Sequence, residues 1–301
     1  MELGKAIELW LGEHKASTVH AYRSALVPMR DWLGPARKVS DIKPEHLLEY
    51  VQATVYKRPY SPATRQKHIK SIKTFFNWCV LIELIPGNSP AKVVRGKKLP
   101  MAIDRHKAMT DGELSKLLES LRYKPRDYAL VMFLADTGCR RAGAVGLQMK
   151  DIQWDELVAT VTEKGEKTRK VAFGKNCARA IRHWLLYRSE HHKVKGAYIF
   201  TRDGLPMQAE NVSLIIRRAC KAAGVRVLSS HSLRHRKGHQ LADARVAPSI
   251  AAAALGHSDP MITLTYYYPA DWESAKQALR ELVTNPDKIA APNPKVVNFS
   301  E

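Results

Sequence analysis

The stretch from Pro86 to Lys107, PGNSPAKVVRGKKLPMAIDRHK, is rich in proline, glycine and lysine and carries little hydrophobic period. Such a stretch reads as a connector, not as a helix or strand interior. It interrupts a chain of 301 residues, a length near which single hydrophobic cores stop growing, roughly 250–300 residues. Two domains are therefore expected: one over residues 1–92, a linker over 93–107, a second domain over 108–285, and a poorly patterned tail over 286–301. Hydrophobic residues make up 45% of the chain, enough to build packed cores and to exclude global disorder.

Before the break, apolar residues recur at helical spacing. Ser17 is placed to cap a helix carrying Val19, Tyr22, Leu26, Met29 and Leu33. Pro44 suits the first turn of a helix with Leu47, Leu48 and Val51, and Ser61-Pro62 is a start signal for the next. In that helix Ile69, Ile72, Phe76 and Val80 form one stripe, and Gln66, Lys70, Lys73 and Asn77 another. No acidic residue stands between Glu49 and Glu83, whereas Lys57, Arg58, Arg65, Lys67, Lys70 and Lys73 do. A solvated face mixes signs; a one-sided face suits phosphate. Arg65, Lys67, Lys70 and Lys73 are the expected phosphate contacts of this half.

After the break, Thr110-Asp111-Gly112-Glu113 has the spacing of a capping box before Leu114, Leu117 and Leu118. A buried helix is expected around Tyr128–Thr137. Two strands with period-2 character follow at Leu157–Thr162 and Arg169–Phe173, turning through residues 163–167, with a third strand expected at Ala197–Phe200. The remaining helices are expected at Cys177–Arg188, Ala209–Ala222, His231–Ala244, Pro248–Leu255 and Asp271–Val283. The fold class is thus mainly α with a small antiparallel β-sheet.

Several functions lose their usual signatures. There is no uninterrupted apolar leader at the N-terminus, and the longest strongly apolar run, Ala129–Ala135, is far short of the roughly 20 residues that span a bilayer. The four cysteines are widely separated, which fits a reducing cytoplasm better than a disulfide framework or a zinc cluster. Neither a phosphate-binding G-x-x-x-x-G-K-[ST] loop nor an H-E-x-x-H helix is present. No cofactor and no metal are expected, and His191-His192 beside Glu190 read as solvated, since adjacent helical positions point in different directions. Lysine plus arginine number 49 against 29 acidic residues, a net charge of +20, which favours a polyanionic partner.

The polar residues of the second domain are individually ordinary, and their order is not. Thr137-Gly138-Cys139-Arg140 is followed by Lys164-Gly165 in a hairpin turn, then His231-Ser232-Leu233-Arg234-His235, then Leu255-Gly256-His257, then Tyr266 nine residues later. This succession resembles the tyrosine recombinase, or phage integrase, family, over nearly the whole chain to about residue 285. SPATRQKHIKSIKTFFNWCV in the first domain resembles that family's helical core-binding domain, and MTDGELSKLL the start of its catalytic domain. The resemblance implies Arg140 and Arg234 as the two catalytic arginines, Lys164 as the hairpin lysine, His231 and His257 as the two histidines, and Tyr266 as the nucleophile. Tyr267 and Tyr268 are the alternative registers. His235 is implied as a supporting group, and Arg236 and Lys237 extend the basic surface. One departure stands out: members often carry an acidic residue three places after the first arginine, and here that place is Gly143. Either another group holds Arg140 or activity is reduced.

The chemistry of those side chains agrees with the resemblance. A tyrosyl oxygen can attack phosphorus and remain attached to it. Phenol has a pKa of about 10, so it needs a proton acceptor. Guanidinium forks stay charged and match the phosphoryl oxygens on which charge builds. His231 is suited to exchange a proton with Tyr266, Lys164 to protonate the departing 5′ oxygen, and His257 to donate to the phosphate. The expected function is site-specific recombination of duplex DNA through a 3′-phosphotyrosine and a Holliday junction. The simple two-domain organisation resembles Xer or Cre recombinases, with no additional N-terminal arm-binding domain. A DNA-bound tetramer, joined through the helix 271–283, is the expected assembly. The alternatives are a DNA-binding protein with impaired catalysis and a type IB topoisomerase-like relaxing enzyme.

Overall fold

The computed structural model describes residues 1–96, 105–163, 166–191, 197–202, 205–268 and 276. The chain divides into two compact units, Met1–Pro100 and Met101–Glu301.

The first unit is helical: α1 (Leu3–Gly12), α2 (Ala16–Leu33), α3 (Pro44–Tyr50) and α4 (Pro62–Leu81). Pro44 and Pro62 occupy the first turns of α3 and α4, where a missing N–H costs nothing. Ser61 caps α4 by accepting from the Thr64 N–H at 3.2 Å. The start of α2 differs from expectation. Lys15 flanks it and its carbonyl accepts from the N–H groups of Thr18 and Val19, so Ser17 lies inside the first turn. Ile69, Ile72, Phe75, Phe76 and Cys79 of α4 are buried, and Phe75 meets the Trp10 ring edge-on at 5.6 Å. Pro90 is buried too, and Ala91 and Val94 belong to this core. The proline-rich stretch therefore begins as a packed 3-10 turn, Pro90–Val93, because its few apolar residues find a surface that their spacing did not announce.

The second unit contains α5 (Asp111–Ser120), α6 (Pro125–Thr137), α7 (Arg141–Val145), α8 (Lys175–His191), α9 (Ala209–Ala222), α10 (Ser230–Asp243), α11 (Pro248–Leu255) and α12 (Pro260–Tyr267). The capping box of α5 forms as its spacing dictates: Thr110 Oγ1 accepts from the Glu113 N–H, and the Glu113 carboxylate accepts from the Thr110 N–H at 2.8 Å. Helix α6 is the centre of the core. Ala129, Leu130, Val131, Phe133, Leu134 and Ala135 are all buried, and it packs against α8 and α10. Each such large apolar side chain contributes about 1.5–3 kcal/mol by leaving water.

Strands β1 (Ile152–Gln153), β2 (Val158–Thr162) and β3 (Thr168–Ala172) form an antiparallel sheet in the order β1-β2-β3. Ala159 faces Val171 and Val161 faces Arg169. The third strand of this sheet is thus Ile152–Gln153, not residues 197–200. The latter make a single bridge, Tyr198 to Gln148, and the next paired strands are β4 (Thr201–Arg202) and β5 (Leu205–Pro206). Helix α12, which carries the tyrosines, had no helical period to reveal it. Pro260 opens it and Asp259 caps it by accepting from the Met261 N–H at 2.9 Å. The expected helix 271–283 lies outside the described residues apart from Lys276. No described helix is long and apolar enough to cross a membrane.

Candidate active site

Helix α6 ends at Gly138 in the left-handed conformation (φ 59°), and the chain turns through Cys139 to Arg140, the residue that precedes α7. This turn brings Arg140 to the end of β2. Strand alternation does the rest. Ala159 and Val161 point inward and are buried; Glu163, two residues on, lies on the same side and is itself 7% exposed.

Glu163 is the hub of the site. Its carboxylate accepts from the Arg140 backbone N–H at 2.7 Å and pairs with the Arg140 guanidinium. It also accepts from Arg169 Nη2 at 3.2 Å and lies 4.0 Å from Arg234 Nη1. Burial alone would raise the Glu163 pKa. The Arg140 N–H and the charges of Arg169, Arg140 and Arg234 outweigh it and hold the carboxyl below its ordinary range.

Arg234 comes from α10, on which His231, Arg234, His235, Gly238 and His239 follow a helical i, i+3, i+4, i+7, i+8 pattern. It is 5% exposed. Its Nη1 donates to the Gly138 carbonyl at 2.9 Å, while Nη2 is buried without a partner among the described residues. Burial and the Arg140 charge lower the Arg234 pKa to about 10, so it stays cationic at neutral pH. Three guanidiniums around one carboxylate leave +3 − 1 = +2.

The third side of the site is the end of α11. Gly256 takes φ 67°, and a Cβ there would stand 2.6 Å from Arg169 Nε. Only glycine gives both the left-handed turn and the close approach. Arg169 donates to the Ala254 carbonyl, and Arg140 to that of Gly256 at 3.3 Å. His257 follows. Its Nδ1 is 2.6 Å from the Thr263 hydroxyl, and Thr263 is fully buried. Burial first, then Arg234, Arg140 and Arg169, lower the His257 pKa to about 4. The ring is neutral at pH 7. Arg140, Glu163, Arg169, Gly256 and His257 line an open cavity of about 430 Å³.

The other expected residues fall as follows. His231 is exposed at the first turn of α10, and partial desolvation with the charges of Arg234, Arg141 and Arg140 lowers its pKa. Tyr267 is 3% exposed, its hydroxyl 3.1 Å from His235 Nδ1. Its ring lies over Gly238, where a Cβ would fall 2.4 Å from Cζ. Burial raises the Tyr267 pKa, against the pull of Arg234. The Tyr268 hydroxyl donates to the Val246 carbonyl at 2.5 Å. Tyr266 is half-buried, with its ring 6.1 Å from that of His235 and 6.4 Å from that of Tyr267, and its hydroxyl has no partner among the described residues. Lys164 lies outside the described residues. Arg236 is tied to Asp111 at 2.6 Å, which leaves it less free for phosphate than expected, and Lys237 packs beside Gly138. In the first unit Lys67 and Lys70 are exposed and Lys73 is half-buried. Arg65 donates to the Arg58 carbonyl at 3.3 Å and lies over the Tyr56 ring.

Residues 107–273 match the model of the phage integrase family. The chain belongs to the phage integrase family. The curated relatives agree: it is 30% identical over 259 residues to tyrosine recombinase XerC of Corynebacterium efficiens, covering 84% of this chain and 76% of that protein. It is 29% identical over 256 residues to tyrosine recombinase XerC of Corynebacterium glutamicum, covering 83% and 81%. Among solved structures, the Tn1549 transposon integrase in complex with transposon right end DNA superposes with a TM-score of 0.76 at 18% identity, covering 94% of this chain and all of that one. XerH recombinase bound to its palindromic difH substrate gives 0.71 at 21% identity, covering 88% and 79%. These two likenesses establish the shared fold. As a member of the tyrosine recombinases, this phage integrase family protein is a DNA breaking and rejoining enzyme that carries out site-specific recombination.

Three residues of the candidate site are absent from the expected set: Glu163, Arg169 and Thr263. The signal for Glu163 was parity with Ala159 and Val161 in β2. No sequence signal distinguished Arg169 or Thr263: Arg169 reaches the Ala254 carbonyl, 85 residues away, and Thr263 meets His257 only through the turn between α11 and α12.

Proposed function

We propose that this recombinase cuts one DNA strand by attack of the Tyr266 oxygen on phosphorus. The Tyr266 O–P bond forms, the P–O5′ bond breaks, and a 3′-phosphotyrosine and a 5′ hydroxyl result. The phenolic proton passes to neutral His231, and Lys164 supplies the proton to the leaving oxygen. Arg140, Arg234 and Nε2–H of His257 hold the non-bridging oxygens, where a preorganised positive site stabilises developing charge most. The phosphotyrosine conserves the energy of the broken link, so a second 5′ hydroxyl reverses the step. Exchange between four protomers through a Holliday junction completes recombination, with Lys67, Lys70 and Lys73 on the duplex backbone.

One observation carries this reading: Arg234 Nη2 is a buried, unpartnered donor inside a cluster of net charge +2. Leaving such a donor unsatisfied costs about 1–3 kcal/mol or more, which an entering phosphate relieves. Tyr266 is favoured over its neighbours because the hydroxyls of Tyr267 and Tyr268 are already engaged.

The test is to incubate the protein with fragmented genomic DNA, denature it in detergent, and sequence the DNA that stays attached. Recovery of one recurrent sequence, abolished in Y266F, is the expected result. Attachment in Y266F but not in Y267F moves the nucleophile by one residue. Relaxation of plasmid lacking that sequence favours a topoisomerase, and no attachment under any condition favours a binding protein.

A further inference from the structure

Position 143 and position 163 share one space. A Cβ added to Gly143 would lie 3.3 Å from Glu163 Cγ and 3.3 Å from Val161 Cβ. Gly143 sits in α7 directly after Arg140 and faces the end of β2. A side chain at 143 would therefore point into the volume that the Glu163 side chain fills. The carboxylate that occupies this volume bonds both the backbone and the guanidinium of Arg140. It also bonds Arg169, which in turn holds the Ala254 carbonyl two residues before Gly256.

We propose that Glu163 is the positioning residue of this active site: reaching in from the β2 end, it aligns Arg140 and Arg234 and, through Arg169, the turn that carries His257, in the place left open by Gly143. The proposal rests on the function proposed above. Glu163 touches no substrate; it fixes the donors that do. Its position also makes the space at 143 tight, since a Cβ there would press on both Glu163 Cγ and Val161 Cβ at 3.3 Å.

Removing Glu163 raises the cluster from +2 to +3, and charge alone would then tighten binding of a phosphate and speed its cleavage. Positioning instead requires that DNA binding be kept or tightened while cleavage slows. The experiment uses the full chain and a nicked duplex bearing the recurrent sequence recovered with wild type, and reads single-turnover adduct formation, DNA affinity and thermal unfolding. Wild type must form the adduct; if it does not, the functional reading fails and the role of Glu163 is not at issue. With active wild type, E163Q is expected to cleave about 10- to 100-fold more slowly, the loss seen when an orienting partner is removed, with affinity within about threefold (a factor of ten being 1.4 kcal/mol). E163A, which removes the carboxylate altogether, replaces E163Q in the comparison if the latter does not unfold cooperatively. The reciprocal variant G143E/E163G is expected to cleave at least about fivefold faster than E163G alone, because the carboxylate returns from the other side; a coupling of that kind is what a double-mutant cycle measures. E163Q, or E163A in its place, cleaving within twofold of wild type overturns the proposal. So does a folded G143E/E163G that is no faster than E163G.

Discussion

Gly143 and Glu163 are complementary across the site: the helix residue has no side chain where the strand residue has a buried carboxylate, with 3.3 Å between the missing Cβ and Glu163 Cγ. The departure at Gly143 thus does not leave Arg140 unsupported. Its anionic partner comes from 23 residues further along the chain.

Replacement of the proposed nucleophile gives the sharpest functional outcome. Y266F is expected to lower covalent attachment to DNA by at least about 10³-fold, the scale on which removal of one member of a concerted catalytic group acts. Y267F, which removes the bond to His235, is expected to retain attachment. Detergent gels with labelled DNA read both.

Thr263 is placed to set the tautomer of His257: when its hydroxyl donates to Nδ1, the ring proton lies on Nε2. T263V keeps the shape and removes the hydroxyl 2.6 Å from Nδ1. Cleavage is expected to fall about tenfold as the Nε2 proton is no longer fixed, the usual scale for an orienting partner, with DNA affinity unchanged. Single-turnover cleavage against filter binding separates the two.

Stability is expected to depend on pH through His257. Its folded pKa of about 4 lies below the ordinary 6.5, so the unfolded chain binds the extra proton between those values. The stabilisation is complete above pH 6.5 and is lost as pH falls towards 4. The thermal midpoint should drop across that window, and H257N should drop less. An equal decline in both assigns the effect to His231, His235 and His239, whose pKa values are lowered too.

Gly238 offers a test of packing against propensity. In a helix interior, alanine is favoured over glycine by up to about 1 kcal/mol. Here a Cβ would fall 2.4 Å from Tyr267 Cζ, and overpacking of this kind costs about 1–3 kcal/mol. G238A is therefore expected to lower the thermal midpoint, despite better helix propensity.

Binding should carry the signature of phosphate contact. K67A and K70A remove exposed cations of α4. Each is expected to weaken DNA binding across sequences and to reduce the log–log salt slope by about 1. Anisotropy titrations over a range of salt concentrations measure it.

Elements whose causes are local can be read along the chain. Ser61-Pro62, the Thr110–Glu113 box and the apolar faces of α4 and α6 depend on residues a few positions apart, so their helices were legible. The order of Arg140, His231, Arg234, His257 and Tyr266 was equally legible, since a motif is a linear pattern. The third strand, the helix of the tyrosines and the hub at Glu163 were not. Ile152–Gln153 is a strand because β2 is beside it, and α12 is amphipathic only weakly. Glu163 sits in what reads as a polar turn; its role arises when α6, β3, α10 and α11 bring three guanidiniums and a glycine-sized gap around it. Charge and volume complementarity at that point are properties of the packed chain, and no spacing along it encodes them.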